Sequence, residues 1–275
     1  MSDPQAPLAE IGNLVIFKDP PDVMTVPRGP SPERYSQLTP DDKRFEAVAA
    51  GIHVALALLE SPAGKSWLVR TATLILEDRI EGKDPHTYTD RPERLPYWVD
   101  QFLQEMRSDF PKVYLTNTVR GEARMKKWDW GRDLRRYNAK AAGILQISKM
   151  LVDNMVAVGQ KILTYKTTSE EGYKNCMINW ETYIFQLGIS LAHEIVHFLT
   201  GFLTGSQFPD TPPAVSYSGF KDNRKGESGR YWEGYLMGGI VDFYADPGDP
   251  LGSLQAGVPM LCYSYLGENR QETIR

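Results

Sequence analysis

The spacing of apolar and polar residues predicts a chain of helices with a few strands between them. Helical periodicity runs through 45–59, 95–108, 179–204 and 227–244, and residues 66–78 are helical or mixed in character. β-Branched and aromatic residues favour strands at 13–17, 112–119 and 144–148, and a further helix follows the last of these to about residue 165. A mixture of this kind, without regular β–α alternation, predicts the α+β class.

Proline sets the N-terminal segment apart from the rest of the chain. Residues 1–40 hold eight of the 19 prolines, and proline fixes φ and lacks an amide donor. We therefore expect an extended proline-rich arm over 1–40, attached to the body through an edge strand at 13–17. No repeat or linker divides residues 41–275, which are expected to fold as a single domain.

One apolar segment carries an isolated charge. Between Thr182 and Pro209 the only formally charged residue is Glu194, which lies in the sequence LGISLAHEIVHFLTGFLTG. A carboxylate in such surroundings is costly to bury unless it is paired or takes part in proton transfer. The segment therefore needs a chemical explanation as well as a structural one.

The two histidines of this segment supply that explanation. His193, Glu194 and His197 form the motif HExxH. At about 100° per residue, four helical positions bring both imidazoles to one face, where they can bind a single Zn²⁺. Glu194 then lies on the flank of that face, where it can take a proton from water and release it later. The spacing predicts a catalytic zinc site with Glu194 as general base and acid.

A catalytic zinc usually has three protein ligands, so a third must be found. The only other histidines, His53 and His86, precede the motif, and Thr200 and Leu203 stand where HExxHxxGxxH would need glycine and histidine. A downstream carboxylate is therefore expected, and the residues leave six candidates open: Asp210, Asp222, Glu227, Glu233, Asp242 and Asp246. Glu227 and Glu233 lie about 240° apart on one helix, so both cannot face the same metal.

The segment as a whole resembles the gluzincin branch of the zincin metallopeptidases, in which HExxH is followed by a glutamate on a later helix. ESGRYWEGYLM, residues 227–237, is also similar to a helix of the ImmA/IrrE-type metallopeptidases. This resemblance covers 187–244 and implies a zincin-like fold with a central HExxH helix and a small mixed sheet. It also implies that Glu227, rather than Glu233, is the third zinc ligand.

Zincin-like folds suggest where the substrate and the oxyanion would lie. In them a strand edge holds an extended peptide by main-chain hydrogen bonds, and we expect 144–148 to be that edge, although the same residues would also suit an interior strand. No histidine follows the motif, so the oxyanion donors that remain are Tyr217, Tyr231 and Tyr235. Each of these tyrosines could equally serve only in packing.

Composition and charge exclude some other functions. The net charge of −4 and pI of about 5.7 do not favour nucleic acid or an anionic membrane as a partner. Residues 119–140 contain eight basic and three acidic residues, interleaved with aromatic residues, which could contribute to recognising an acidic group. Two cysteines without metal-type spacing, no signal peptide and no run of membrane-spanning length together predict a cytoplasmic protein.

These features predict a zinc metallohydrolase, in the first place a metallopeptidase. A zincin-fold enzyme that acts on a small molecule in specialised metabolism is the alternative. A third reading is a binding module that keeps the metal for structural reasons. The sequence leaves the substrate and the oligomeric state open.

Overall fold

A mixed five-stranded sheet with helices packed against one face builds the main part of this single-domain α+β protein. The computed structural model describes residues 11–18, 36–81, 88–131, 133–205, 211–220, 225–263 and 271–273. The helices within these ranges are α1 (Lys43–Glu60), α2 (Pro62–Glu81), α3 (Leu95–Ser108), α4 (Ala139–Ala142), α5 (Lys149–Thr168), α6 (Glu170–Thr204) and α7 (Ser228–Met237). The strands are β1 (Ile16–Lys18), β2 (Ser36–Gln37), β3 (Lys112–Thr116), β4 (Ala123–Lys127), β5 (Gly143–Ser148), β6 (Ile240–Tyr244), β7 (Val258–Cys262) and β8 (Gln271–Thr273).

The larger sheet has the order β2-β1-β3-β5-β4. Strands β1, β3 and β5 are parallel, whereas β2 and β4 run antiparallel to their neighbours at the two ends. The inward residues of the parallel strands, including Val113, Leu115, Leu145 and Ile147, are fully buried against the helices. A second sheet, of order β6-β7-β8, is antiparallel throughout.

Helix α6 runs through the centre of the domain. Its first turn is capped by the Ser169 side chain, and it ends at Gly205, which has φ of 69°. Helices α1, α5 and α7 and strand β4 pack along it, so it is surrounded on several sides. This position explains why the sequence of α6 is apolar around most of its circumference.

Helix α6 is long and apolar, whereas the sequence pattern predicted no segment that could span a membrane. By length and composition alone α6 could do so, as could α1 and α2 together if this pair, bent by 74°, were one span. In the folded chain 78% of the apolar window of α6 is buried inside the protein.

The predicted helices at 45–59 and 95–108 are confirmed as α1 and α3, and residues 66–78, whose pattern was helical or mixed, lie within α2. The strands predicted at 112–119 and 144–148 are confirmed as β3 and β5, with β3 ending at Thr116. The helix predicted to begin near Asn179 starts nine residues earlier, at Glu170, because Ser169 supplies the N-cap and donates its own N–H to Tyr165 O.

Two predictions near the ends of the chain are wrong. The strand expected at 13–17 is observed as β1, but it lies between β2 and β3 rather than at the edge. The helix expected over 227–244 ends at Met237, because Gly238 adopts φ of 81° and the following IVDFY segment pairs with β7. The predicted proline-rich arm over 1–40 falls mostly on residues 1–10 and 19–35, outside the described ranges.

The contact between α1 and α6 depends on a glycine, which yields a prediction about stability. A Cβ atom at Gly188 would lie 2.6 Å from Val54 Cγ1, and valine has little rotamer freedom in a helix with which to move away. Gly188→Ala is therefore expected to destabilise the fold by about 1–3 kcal/mol through overpacking. Urea unfolding followed by circular dichroism measures this.

Gly159→Ala on α5 is the matched control. A Cβ atom at Gly159 would meet only the Trp180 ring, at 3.5 Å. Because alanine is the better helix former, this variant should be neutral or more stable by about 0.5–1 kcal/mol. Equal effects of the two substitutions would contradict the close packing of α1 on α6.

Candidate metal centre

His193 and His197 lie one turn apart on α6, with their ring centroids 5.2 Å from each other. Their side chains retain 21% and 22% of their exposure, although the neighbouring Ile195, Val196 and Phe198 are buried. The two imidazoles therefore remain partly exposed while the rest of this turn faces the core. This is the arrangement that the spacing of four residues predicts.

Glu227 approaches this pair from the start of α7. It is the N-cap of that helix, with extended backbone angles of φ −142° and ψ 96°, and its main-chain N–H donates to Val215 O at 2.8 Å. One carboxylate oxygen, Oε2, accepts the N–H of Arg230, which completes the cap. The other oxygen, Oε1, is left to face α6.

The three side chains converge on one point. Glu227 Oε1 lies 3.4 Å from His193 Nε2 and also contacts His197 Nε2. One ligand atom from each residue falls within 4.8 Å of the other two. Ligand atoms bound tetrahedrally to one zinc ion at bonds near 2.0–2.2 Å are about 3.3–3.6 Å apart. Two imidazole nitrogens and a carboxylate oxygen are also a donor set that zinc accepts.

The second nitrogen of His193 is held by Glu233. His193 Nδ1 lies 3.0 Å from Glu233 Oε2, and the other oxygen of Glu233 accepts the main-chain N–H of Val241 at 2.6 Å. Glu233 is only 4% exposed. Glu233 thus holds the ring through Nδ1, and Nε2 is the nitrogen that faces Glu227. The two glutamates that competed in the sequence thus contact opposite nitrogens of the same ring.

His197 has an equivalent but uncharged partner. Its Nδ1 lies 3.1 Å from Ser228 Oγ, which in turn lies 3.3 Å from Thr200 Oγ1. Thr200 continues the chain by donating to Val196 O at 3.4 Å. Two residues of α7 therefore orient the histidines: Glu233 contacts His193, and Ser228 contacts His197.

The charges of the cluster support one another. Burial lowers the pKa of His193, but Glu227 and Glu233 together raise it well above its usual value. Burial raises the pKa of Glu227, but the adjacent His193 and His197 lower it by more. The net effect is a pKa well below the usual value for glutamate. The carboxylate of Glu227 is therefore held in its ionised form, which is the form that binds a metal.

A glycine allows α7 to come this close. A Cβ atom added to Gly229 would lie within 2.4–2.6 Å of three atoms of the His193 ring. Any side chain at this position would push the imidazole or the helix away. Gly229, between Ser228 and Arg230, therefore sets the distance between the first turn of α7 and His193.

Glu194 is placed beside the cluster rather than in it. Its Oε2 accepts the main-chain N–H of Met125 on β4 at 2.6 Å, and the side chain is half-buried. Nearby, Lys127 Nζ donates to His197 O at 3.3 Å. Two hydrogen bonds thus connect β4 with the HExxH turn, and each joins a side chain of one to a main-chain group of the other.

The strand predicted to line the cleft is the wrong one. Residues 144–148 belong to β5, which is paired on both sides, with β3 and with β4. The strand at the sheet edge beside α6 is β4, which lies within the basic segment 119–140. The alternation of Ala123 and Met125 with charged residues was the signal that could have identified this strand.

Among the remaining candidates that the structure describes, Asp242 and Asp246 do not belong to the cluster. Asp242 is exposed on β6, and Asp246 binds the N–H of Gly248 in a turn. Asp210, Asp222 and His86 fall outside the described ranges. His53 Nδ1 lies 3.5 Å from Arg107 Nη1, and His53 does not belong to the cluster.

The three tyrosines considered as oxyanion donors form a packing cluster. Tyr235 stacks on Trp67 with ring centroids 4.5 Å apart, and it also contacts Tyr217 and Tyr231. The hydroxyl of Tyr217 donates to Gly238 O at 3.0 Å, and Tyr231 is 6% exposed. None of these contacts brings a hydroxyl to the histidine pair.

Comparison of the chain with protein-family models, with curated proteins and with solved structures finds no match. The function must therefore be inferred from the residues of the site. Among them, sequence reasoning missed Ser228, Gly229 and Met125, because their roles depend on how α7 and β4 approach α6. The Ser-Gly pair that follows Glu227 was the available signal, since both residues are small at the start of a helix.

The distinct positions of Glu227 and Glu233 predict different effects on zinc binding. Glu227→Gln keeps an oxygen for the Arg230 cap but removes the anionic ligand, so zinc binding should weaken by more than about 100-fold. Glu233→Gln should weaken it by about 10–100-fold, as is typical for a residue that orients a ligand. Competition with a chromophoric chelator measures both affinities.

Asp242→Asn provides the control, because Asp242 is an exposed carboxylate outside the cluster. It removes the same charge and should leave the zinc affinity unchanged. Wild-type zinc affinity in Glu227→Gln would exclude Glu227 as a ligand. A larger loss in Glu233→Gln than in Glu227→Gln would reverse the assigned roles.

Proposed function

We propose that this protein is a zinc-dependent hydrolase with a zincin-like fold, and that it acts as a peptidase. The observation that carries the proposal is the convergence of His193, His197 and Glu227 from two helices, with the Glu194 carboxylate beside them. A motif of five residues alone would indicate a metal. The added carboxylates on α7 and the neighbouring strand edge favour hydrolysis.

The zincin-like fold is supported by the relation between α6 and the sheet. An antiparallel strand, β4, forms the sheet edge next to the HExxH turn, and the third candidate ligand comes from a later helix. These are the features that the resemblance to gluzincins implies. Because the cluster leaves His193 and His197 partly exposed, a substrate can approach from the cleft.

The residues of the cluster fit a catalytic zinc site better than a structural zinc site. Structural zinc sites are usually closed by four protein ligands, most of them cysteine. Here the described cluster offers three ligands, and neither Cys176 nor Cys262 belongs to it. A site with three ligands retains a position for water or substrate, which is the requirement for catalysis.

In the mechanism, bound zinc would polarise the scissile carbonyl and lower the pKa of a water molecule toward neutrality. Glu194 accepts the proton of that water. Because its Oε2 is held by Met125 N–H, the proton is taken at Oε1, and the same oxygen then delivers it to the leaving amine. The hydrogen bond from Met125 fixes which face of the carboxylate meets the substrate.

A peptide substrate is favoured by the position of β4 at the edge of the sheet. The edge lies beside Glu194 and presents main-chain groups on the side away from β5. An extended peptide can add to such an edge by main-chain hydrogen bonds, which bind any sequence and position the scissile bond. A small-molecule substrate would have no use for this strand.

Replacement of Glu194 tests the chemistry. Glu194→Gln keeps an oxygen that accepts the Met125 N–H, so the fold and zinc content should be unchanged. Hydrolysis should fall by about 10²- to 10⁴-fold, because the variant has no base to take the proton from water. Cleavage of a peptide library followed by mass spectrometry, with zinc measured in parallel, gives both quantities.

Two other results would point elsewhere. If wild-type protein with one zinc per chain cuts no peptide, the peptidase assignment fails and the small-molecule alternative takes its place. If Glu194→Gln retains full activity, the carboxylate is not the base. A protein that purifies without zinc and cannot be loaded with it would remove the basis of the proposal.

A further inference from the structure

We propose that this protein has a second binding site, separate from the metal centre, which takes an aromatic carboxylate. In this site Arg135 pairs with the carboxylate of the ligand, and the Tyr137 hydroxyl donates to a ligand oxygen. The site is a pocket of about 390 Å³ between α3, the end of α6 and a short 3₁₀ turn at Leu134–Arg136. None of the described residues that line it belongs to the candidate metal cluster, so the inference does not rest on the proposed hydrolase function.

Helix α3 contributes one of its sides to the pocket. Four of its residues line the pocket at helical spacing and therefore lie on one side of the helix: Tyr97, Trp98, Gln101 and Glu105. Trp98 is 7% exposed, and its indole N–H donates to Asp90 Oδ2 at 2.9 Å. This bond fixes the orientation of the largest ring in the lining before any ligand is bound.

Aromatic rings also enter the pocket from the other elements. Tyr137 and Phe202 meet edge to face, with ring centroids 4.8 Å apart and ring planes at 76°. Small-molecule sites are commonly lined by apolar and aromatic side chains and enclose about 300–1,000 Å³. Ring pairs in offset or edge-to-face geometry attract each other. The size and the lining of this pocket therefore suit a planar aromatic group.

The charges of the lining favour an anion. Arg94 and Arg135 line the pocket with a single carboxylate, Glu105, and one oxygen of Glu105 already accepts a main-chain N–H. Arg94 is paired with Asp90 at 3.2 Å. Arg135 is exposed, and within the described ranges its hydrogen bond to Asp133 is made by the main-chain N–H rather than by the guanidinium. The guanidinium of Arg135 can therefore bind a carboxylate, for which its planar fork is well shaped.

An adjoining pocket of about 260 Å³ shows that this charge balance is local. It shares Arg94 and Arg135 with the first pocket, but it is also lined by Asp90 and Asp133. Its cations and carboxylates are thus equal in number, whereas the first pocket has an excess of positive charge. An anionic group is therefore expected on the first side of the two arginines.

A buried hydroxyl provides an independent indication of a ligand. The hydroxyl oxygen of Tyr137 is buried and has no hydrogen-bond partner within the described part of the chain. Burial, and to a smaller extent the charge of Glu105, raise the pKa of this hydroxyl well above its usual value, so it remains a donor at neutral pH. Buried donors in native proteins nearly always have an acceptor. Because Tyr137 lines the pocket, an oxygen atom of a bound ligand can supply it.

Calorimetric titration of the zinc-loaded protein tests the class of ligand. The probes are naphthylacetate, its uncharged amide, naphthylethylamine and acetate. Naphthylacetate should bind with a Kd of about 1 mM or lower, and the amide should bind about 5- to 30-fold more weakly, because it cannot form the charged pair with Arg135. The amine, which has the wrong charge, and acetate, which has no ring, should bind more weakly than the amide.

Substitutions in the 3₁₀ turn identify the residues responsible. R135Q should abolish the preference for the acid over the amide. R136Q is the matched control, because Arg136 is exposed, is paired with Asp133 at 3.5 Å and does not line the pocket. It removes the same charge and should keep the wild-type preference. Tyr137→Phe keeps the ring and should weaken naphthylacetate by about 3- to 10-fold through the lost hydroxyl.

Several results would overturn this inference. Equal binding of the acid and the amide, or equal effects of R135Q and R136Q, would show that the pocket does not recognise a carboxylate. An unchanged affinity in Tyr137→Phe would remove the hydroxyl from the site. If naphthylacetate binds only when zinc is present and R135Q has no effect, the ligand lies on the metal and the inference is wrong. If the protein cuts no peptide but R135Q still removes the preference for the acid, the proposed hydrolase function fails and the second site stands.

Discussion

The site depends on how closely the first turn of α7 packs against the histidine face of α6. At Gly229 the backbone of α7 lies against the His193 ring, with no room for a Cβ atom. This proximity lets Glu227 reach both Nε2 atoms while its second oxygen caps its own helix. It also brings Ser228 and Glu233 to the Nδ1 atoms. If α7 were displaced by the width of a methyl group, these four contacts would be lost together.

The same packing resolves the cost of placing carboxylates in an apolar core. Each oxygen of Glu233 has a hydrogen-bond partner, in His193 and the Val241 main chain. Glu227 is paired with two histidines, and Glu194 accepts a main-chain N–H from β4. An unpaired buried carboxylate would shift its pKa and become neutral. Here the adjacent His193 and His197 lower the pKa of Glu227 instead, so this carboxylate stays ionised where a metal would need it.

Sequence reasoning recovered the elements whose information is local. The spacing of His193 and His197 and the strands β3 and β5 each depend on residues that are close together in the sequence. The contributions of Gly229 and β4 depend on which segments meet in space, and a single sequence does not record this. The error at β5 has the same origin, because edge and interior strands differ in their neighbours as well as in their composition. Over 227–244 the local signal was present in Gly238, but the helical periodicity outweighed it.

Strand β4 contacts Glu194, the carboxylate proposed as the base, and this would affect how a peptide substrate binds. Met125 N–H is one of the groups that an added strand would use, yet it is already bonded to Glu194 Oε2. A peptide paired along β4 must therefore either share this N–H or leave it to Glu194 and bond on both sides of it. The second arrangement keeps the carboxylate fixed while the peptide is held elsewhere along the strand. The break in the ladder would then fall at the residue beside the base, where a scissile carbonyl must turn away from the strand to meet a metal at the histidine pair.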